Sequence, residues 1–119
     1  MRERAVEWLE YAEADLAAAE ALVEVNEAIA AYHAHQAAEK GLKALQIHRE
    51  RDHDRTHDLV RLYRALDVPT EFRSLLENLN PADTAARYPD ADDVAFDDAQ
   101  AVIEQVGEIL TWIRKQSNG

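Results

Sequence analysis

The chain has 119 residues, 47% of them hydrophobic, which provides apolar material for one packed core and leaves no room for a second. It contains no cysteine, so disulfides and thiolate metal sites are excluded, and its formal net charge of −11 disfavours non-specific coating of nucleic acid. No signal-peptide core is present, and no run approaches the ~20 apolar residues of a membrane span, so we expect a cytoplasmic protein without membrane association.

The first predicted helix runs from about Arg4 to Val25. Apolar side chains recur there at spacings of three and four, with acids between them, as in an amphipathic helix. The members of this stripe are Ala5, Leu9, Ala12, Leu16, Ala19 and Val23. Asn26 then breaks the pattern and can cap the helix that follows.

The second predicted helix, from about Glu27 to Arg49, is apolar on two sides. Such a helix lies either at the centre of a bundle or at a subunit interface. One apolar stripe contains Ala31, Ala34, Ala38, Leu42 and Leu45, and the other contains Ile29, Ala37, Ala44 and Ile47.

Three more helices are predicted towards the C-terminus. Thr56 can cap the third helix, and Pro69 ends it. Thr70 can cap the fourth, and the run from 80 to 93 reads as an ordered loop. The last helix begins near residues 94–97. No strand-like alternation is present, so we expect an all-α, up-and-down antiparallel bundle of three long and two short helices, forming one domain over residues 1–119.

The second helix also carries a polar stripe formed by His33, Gln36, Lys40 and Lys43. Two interpretations remain open. The stripe is a solvated face with Gln36–Lys40 and Glu39–Lys43 contacts at i, i+4 spacing. Alternatively, its donors bind phosphate or the acids of a partner.

A second polar cluster spans residues 51–58. His53 and His57 stand four residues apart, but the segment reads as a loop, has no zincin glutamate and has no evident third ligand, so we expect no metal and no cofactor. With Arg51 or Arg55 beside it, His57 suits proton transfer in metal-free RNA cleavage. The competing interpretation is that His57 caps or packs the start of the third helix.

A third candidate lies in the long loop, where Pro89 favours an extended backbone at Tyr88 and so a fixed presentation of Arg87 and Tyr88. Two interpretations are open. In one, Tyr88 closes the bundle end and Arg87 pairs with an acid. In the other, Arg87 lines the same pocket as the polar stripe.

These motifs together resemble a known family. The segment 32–45, YHAHQAAEKGLKAL, resembles the signature helix of HEPN domains, F-x-A-Q-Q-A-A-E-K-x-L-K-A. The Thr-His-Asp-Leu turn at 56–59 and the Arg-Tyr-Pro-Asp loop at 87–90 resemble two further hallmarks in the same order. The opening Trp8-Leu9 with Ala12 and Asp15-Leu16 also fits.

The resemblance implies a helical bundle that forms a homodimer and is often encoded beside a minimal nucleotidyltransferase, sometimes as a toxin–antitoxin pair. The candidate ligand-binding residues are His33, Gln36, Lys40, Lys43, Asp58, Arg87 and Tyr88. Some relatives bind nucleotides, and others are metal-independent ribonucleases that carry Arg, four to six residues, then His. Arg51 and His57 meet that spacing and are the candidate catalytic pair. Here, however, the pair lies in a loop rather than on a later helix, and Leu59 occupies the place of the tyrosine found in one form of the motif.

Three functions follow from these observations. The first is a nucleotide- or partner-binding domain without catalysis. The second is a metal-independent endoribonuclease acting on RNA. The third is a structural dimerisation scaffold. The sequence favours the first and leaves open whether the chain is an enzyme.

Overall fold

A computed structural model describes residues 1–83 and 99–116. Within these residues the chain is helical and contains no strand. The part of the chain that the structure describes contains three long and two short α-helices, as predicted, with one 3₁₀ turn before α4. Their bounds are α1 Glu3–Leu22, α2 Glu27–Glu50, α3 Leu59–Ala65, a 3₁₀ turn Thr70–Phe72, α4 Arg73–Leu79 and α5 Ala99–Gln116.

Helix α2 has a defined cap at each end. The side chain of Asn26 accepts a hydrogen bond from the backbone N–H of Ile29 at 3.1 Å, which confirms the predicted N-cap. At the other end Arg51 adopts a left-handed conformation with φ 71°, and its N–H donates to the carbonyl of Ile47 at 2.9 Å. The chain therefore leaves the helix sharply just before the segment that contains His57.

The N-cap of α3 is Asp58, so the prediction of Thr56 was wrong. One carboxylate oxygen of Asp58 accepts from the N–H groups of Val60 at 3.0 Å and Arg61 at 3.3 Å. Thr56 stabilises the turn before the helix instead, because its hydroxyl accepts a hydrogen bond from the N–H of Asp58 at 3.0 Å. A carboxylate satisfies two free amides at a helix start and favours the positive end of the helix dipole.

The fourth helix starts later than predicted. Thr70 does not cap it but opens the 3₁₀ turn that follows Pro69, and regular α-helix begins at Arg73. The apolar side chains predicted for this helix are nevertheless buried, namely Phe72, Leu75, Leu76 and Leu79. The predicted start of the last helix lies outside the described residues.

Helix α2 is the centre of the bundle and packs against α1, α3, α4 and α5. Ala37, Ala44 and Ile47, which belong to its second apolar side, are at most 1% exposed within this one chain. Of the two alternatives for a helix with two apolar sides, the central position is therefore confirmed. Both ends of α2 reach the surface, with Ile29 of the second apolar side 43% exposed, and between them a strip formed by Tyr32, His33, Gln36 and Lys40 is partly exposed.

Gly41 allows α5 to approach α2 closely. A β-carbon at this position would collide with the side chain of Leu110 and would lie 3.2 Å from the Cδ1 atom of Ile113. The glycine is buried in mid-helix, where it costs helix stability relative to alanine. Its benefit is the close contact between the two helices.

None of the helices within residues 1–83 and 99–116 has the length and apolar character needed to cross a lipid bilayer.

Candidate functional site on the central helix

The polar stripe of α2 divides into two edges that face different parts of the chain. The inner edge, here called the Glu39 cluster, consists of His35, Glu39 and Lys43 of α2 together with His57. Glu39 is 4% exposed and Lys43 is 3% exposed. The ammonium of Lys43 donates to Glu39 Oε2 at 3.1 Å, so the two buried charges neutralise each other.

His57 joins the Glu39 cluster from the loop before α3. Its Nδ1 atom lies 3.1 Å from Oε1 and 3.2 Å from Oε2 of Glu39, while 55% of its side chain is exposed. With the proton on Nδ1, the ring donates to the carboxylate and leaves Nε2 as an acceptor. A buried carboxylate therefore orients an imidazole that solvent can reach, an arrangement suited to proton transfer.

His35 lies beneath this pair and is fully buried. Its Nδ1 is 3.8 Å from Glu39 Oε1, which is too long for a hydrogen bond, and neither ring nitrogen has a partner of good geometry within the described residues. Burial lowers the pKa of the His35 imidazole below its usual range, and the carboxylates of Glu39 and Asp83 oppose this shift only in part.

The outer edge, here called the Asp15 cluster, consists of His33 and Lys40 of α2 and Asp15 of α1. Lys40 Nζ donates to Asp15 Oδ2 at 2.6 Å, and His33 Nδ1 lies 3.1 Å from Asp15 Oδ1. The three side chains are between 15% and 30% exposed. The Asp15 cluster therefore ties α1 to α2 and remains within reach of a ligand.

Gln36 belongs to neither cluster. Its side-chain amide donates to Asp83 Oδ1 at 3.3 Å, and Asp83 is 8% exposed. The predicted Gln36–Lys40 contact was therefore wrong, because both side chains bond to other elements. The predicted Glu39–Lys43 contact is confirmed.

The loop that carries Arg51 and His57 is fixed at several points. The buried side-chain oxygen of Gln46 accepts from the N–H of Asp54 at 2.7 Å. Arg4 of α1 donates to the carbonyl of Arg51 at 3.3 Å. The ring of His53 packs on Trp8, with the centroids 4.4 Å apart. These contacts give His57 a defined position although it lies outside a helix.

Asp58 is already engaged as the cap of α3. The side-chain amide of Asn80 donates to its Oδ1 at 2.9 Å, and this bond lowers the pKa of the Asp58 carboxyl below its usual range, helped by the backbone amides of Arg61 and Val60. The backbone N–H of Leu59 in turn donates to Asn80 Oδ1 at 2.9 Å. Asp58 thus holds the start of α3 against the end of α4.

Apart from Asp58 at the start of α3, the structure distributes the described candidate residues over four places. Lys43 and His57 meet at Glu39, His33 and Lys40 meet at Asp15, Gln36 contacts Asp83, and Arg51 is an exposed helix cap. Arg87 and Tyr88 lie outside the described residues. Residues 1–83 and 99–116 contain no group of three histidine or acidic side chains arranged to hold a metal ion.

Sequence reasoning did not single out His35 or Asp15 as site residues, and it named Glu39 only as a contact of Lys43. His35, Glu39 and Lys43 follow one another at steps of four, and that spacing was available as a signal. Asp15 lies on another helix, and no local pattern pairs it with His33 and Lys40. The central residues of the two clusters, Glu39 and Asp15, are acids, whereas most of the predicted site residues are cations.

Comparison with known proteins identifies the family. Residues 5–116 match the family described as the HEPN domain. A solved structure from Thermus thermophilus, that of TT1696, is 27% identical with a TM-score of 0.82 and covers 96% of this chain and 98% of that chain. ST0689, described as an archaeal HEPN homologue, has the same fold at 24% identity, with a TM-score of 0.76 and coverage of 98% of this chain and 99% of that chain.

No curated protein matches the sequence significantly. The family match nevertheless spans all the described helices except the first two residues of α1. Because it extends over nearly the whole sequence, the chain belongs to the HEPN domain family.

Proposed function

We propose that this chain is a nucleotide- or partner-binding HEPN domain that forms a homodimer and works with a minimal nucleotidyltransferase in a toxin–antitoxin-like pair. The observation that carries the proposal is the Asp15 cluster. It holds a lysine and a histidine of α2 in fixed positions at the surface, on a helix in which residues 34–47 are buried except for Gln36 and Lys40. Polar groups preorganised in this way bind a ligand with little loss of side-chain entropy.

The charge of the Asp15 cluster sets a condition on its ligand. Asp15 accepts from Lys40 at 2.6 Å, so a phosphate must share or displace that carboxylate before it gains the ammonium. A protein partner that offers both a donor to Asp15 and an acceptor to Lys40 needs no displacement. Both ligands use the same three side chains.

Asp15→Asn tests the nucleotide arm of the proposal. The exchange removes the competing carboxylate and keeps the size of the side chain, so ATP should bind several-fold more tightly, roughly 3–10-fold. Lys40→Met should weaken binding by a similar factor. Isothermal titration calorimetry with both variants measures the effect. Equal ATP affinity of the wild type and both variants would remove the Asp15 cluster from the nucleotide site.

The partner arm of the proposal is tested by co-purification. The neighbouring nucleotidyltransferase, if the chromosome encodes one, is expressed with the tagged chain, and the mass of the complex is measured by light scattering. A stable complex that is lost in Lys40→Met supports the proposal. A dimer that captures neither nucleotide nor partner leaves the structural scaffold as the function.

A second candidate function is a metal-independent endoribonuclease, which the Glu39–His57 pair favours. His57 as proton-transfer group and Arg51 as phosphate ligand would cleave RNA in EDTA. Glu39 would hold the His57 ring in one tautomer. Labelled RNA is incubated with the wild type, His57→Ala and His53→Ala. Cleavage lost in His57→Ala and kept in His53→Ala supports an enzyme, and cleavage equal in all three refutes this function.

A further inference from the structure

A second surface of the molecule lies on the first two turns of α1, away from the Glu39 cluster. Glu7, Trp8 and Tyr11 of α1 and Lys40 of α2 line a cleft of about 280 Å³. Tyr11 is 68% exposed, which is unusual for an aromatic side chain on a helix whose other face is buried in the core. We name this surface the Tyr11 cleft.

The aromatic ring of Tyr11 already contacts a cation of the same chain. The ammonium of Lys40 lies 6.0 Å from the centroid of the ring. Asp15 bonds to the same ammonium and keeps it in place. Because the ring is still 68% exposed, a second cation can contact it from the solvent side.

The rim of the Tyr11 cleft is acidic. Glu7 lines the cleft one helical turn before Tyr11, and Glu3 and Glu10 lie on the same face of α1 as Glu7, since positions three, four and seven apart share a helix face. All three are exposed, and none has an ion-pair partner within residues 1–83 and 99–116. Two cations lie near these acids, and both contact another carboxylate. Asp15 neutralises Lys40 in the cleft, and Arg4, on the same face of α1, lies 3.5 Å from Asp52.

These observations decide the chemistry of the ligand. An anion is disfavoured by the three carboxylates and by the net charge of −11. A purely apolar partner would have to bury the carboxylate of Glu7 without compensation. A guanidinium satisfies each constraint, because it stacks on an aromatic ring and donates two parallel hydrogen bonds to a carboxylate.

We propose that the Tyr11 cleft is a docking site for an arginine-bearing basic segment of a partner protein, with the guanidinium between the Tyr11 ring and the Glu7 carboxylate. The proposal goes beyond the function proposed above, because it adds a contact made by Tyr11 and Glu7 of α1 and names its chemistry, while Lys40 belongs both to the cleft and to the Asp15 cluster. The negative field of the whole chain would steer such a segment towards the cleft.

The test uses the full chain and a synthetic peptide of alternating arginine and glycine. A second peptide carries citrulline for arginine, which keeps the planar group and removes its charge. Trp8 fluorescence in a Trp112→Phe background reports binding, and calorimetry on the unmodified chain confirms it. We expect the arginine peptide to bind and the citrulline peptide to bind at least about tenfold more weakly.

Three variants locate the site. Tyr11→Ala and Glu7→Gln should each weaken binding of the arginine peptide by about tenfold. The matched control is Glu24→Gln, which removes one exposed acid outside the cleft and should change affinity less than about twofold. Tyr11 and Glu7 are both exposed, so the variants should fold as the wild type does.

Each other outcome overturns the proposal. Equal losses in Glu7→Gln and Glu24→Gln would mean general charge attraction without a site. A dimer that becomes a monomer in Tyr11→Ala would make the cleft a contact between two copies of this chain. Binding of ATP that is lost in Tyr11→Ala, without binding of the arginine peptide, would make it a nucleobase site.

Discussion

The two edges of α2 carry the same types of side chain and differ in burial. Each has an acid at its centre, a lysine and a histidine bonded to that acid. In the Glu39 cluster the acid and the lysine are at most 6% exposed, whereas Asp15 is 15% and Lys40 is 30% exposed. A charge that is removed from water is costly unless it is paired. The buried Glu39–Lys43 pair should therefore remain intact. The outer pair can exchange its partners for a ligand.

This difference assigns different roles to two lysines that look equivalent in sequence. Lys43 neutralises a carboxylate that has little access to solvent, and Glu39 then orients His57. Lys40 connects α1 to α2 and faces the Tyr11 cleft. One edge of the helix is thus buried within the chain, and the other is partly open to solvent.

The largest expected effect is on the free energy of unfolding, and it separates Lys43→Met from Lys40→Met. Lys43→Met leaves the buried Glu39 carboxylate without its ammonium and should lower the free energy of unfolding by about 3–5 kcal/mol. Lys40→Met acts on a partly exposed pair and should cost about 1 kcal/mol or less. Urea denaturation of the two variants at neutral pH measures both losses.

A double variant controls for packing in this comparison. Glu39→Gln combined with Lys43→Met removes both charges, so it should be more stable than Lys43→Met alone. If Lys40→Met and Lys43→Met lose equal stability, burial does not distinguish the two edges. If the double variant is less stable than Lys43→Met, the charge on Glu39 is not the source of the loss.

Much of the fold follows from the pattern of apolar residues. The apolar stripe of α1 has a helical period, and the two apolar sides of α2 place that helix at the centre. The predicted starts of α3 and α4 were less accurate. Thr56 and Asp58 are both good caps, and the choice between them depends on Asn80, which is distant in sequence and donates to Asp58.

The candidate site was predictable only where its contacts are local. The Glu39–Lys43 pair spans one helical turn, and its spacing predicts it. Asp15 contacts Lys40 across 25 positions, and His57 contacts Glu39 across 18, so both depend on how the helices and loop pack. A polar stripe read from one helix cannot show which of its members the rest of the chain covers.

A smaller effect on stability is expected at Gly41 and Gly107, the two glycines inside long helices, where packing changes but no charge is involved. Gly41→Ala places a methyl group against Leu110 and Ile113, and the crowding should outweigh the gain in helix propensity, for a net loss of about 1 kcal/mol. Gly107→Ala is the matched control, since its methyl group would lie 3.7 Å from Leu16 in ordinary contact and should add up to about 1 kcal/mol. Thermal unfolding of both variants decides the matter, and equal stabilisation would show that the contact between α2 and α5 is not tight.

His35→Leu is expected to change stability least at neutral pH. Below neutral pH its stability should differ from that of the wild type. Burial lowers the pKa of His35 in the folded chain, so the unfolded chain binds more protons once the pH falls below the unfolded value of about 6.5. The wild type should therefore lose stability as the pH is lowered from about 7 to about 5. Leucine cannot bind a proton and fits an apolar environment, so the variant should match the wild type at neutral pH and lose less on acidification. Urea midpoints across this range measure the difference. Parallel pH profiles would mean that His35 accepts its proton within the folded Glu39 cluster, and the inner edge would then be as adaptable as the outer one.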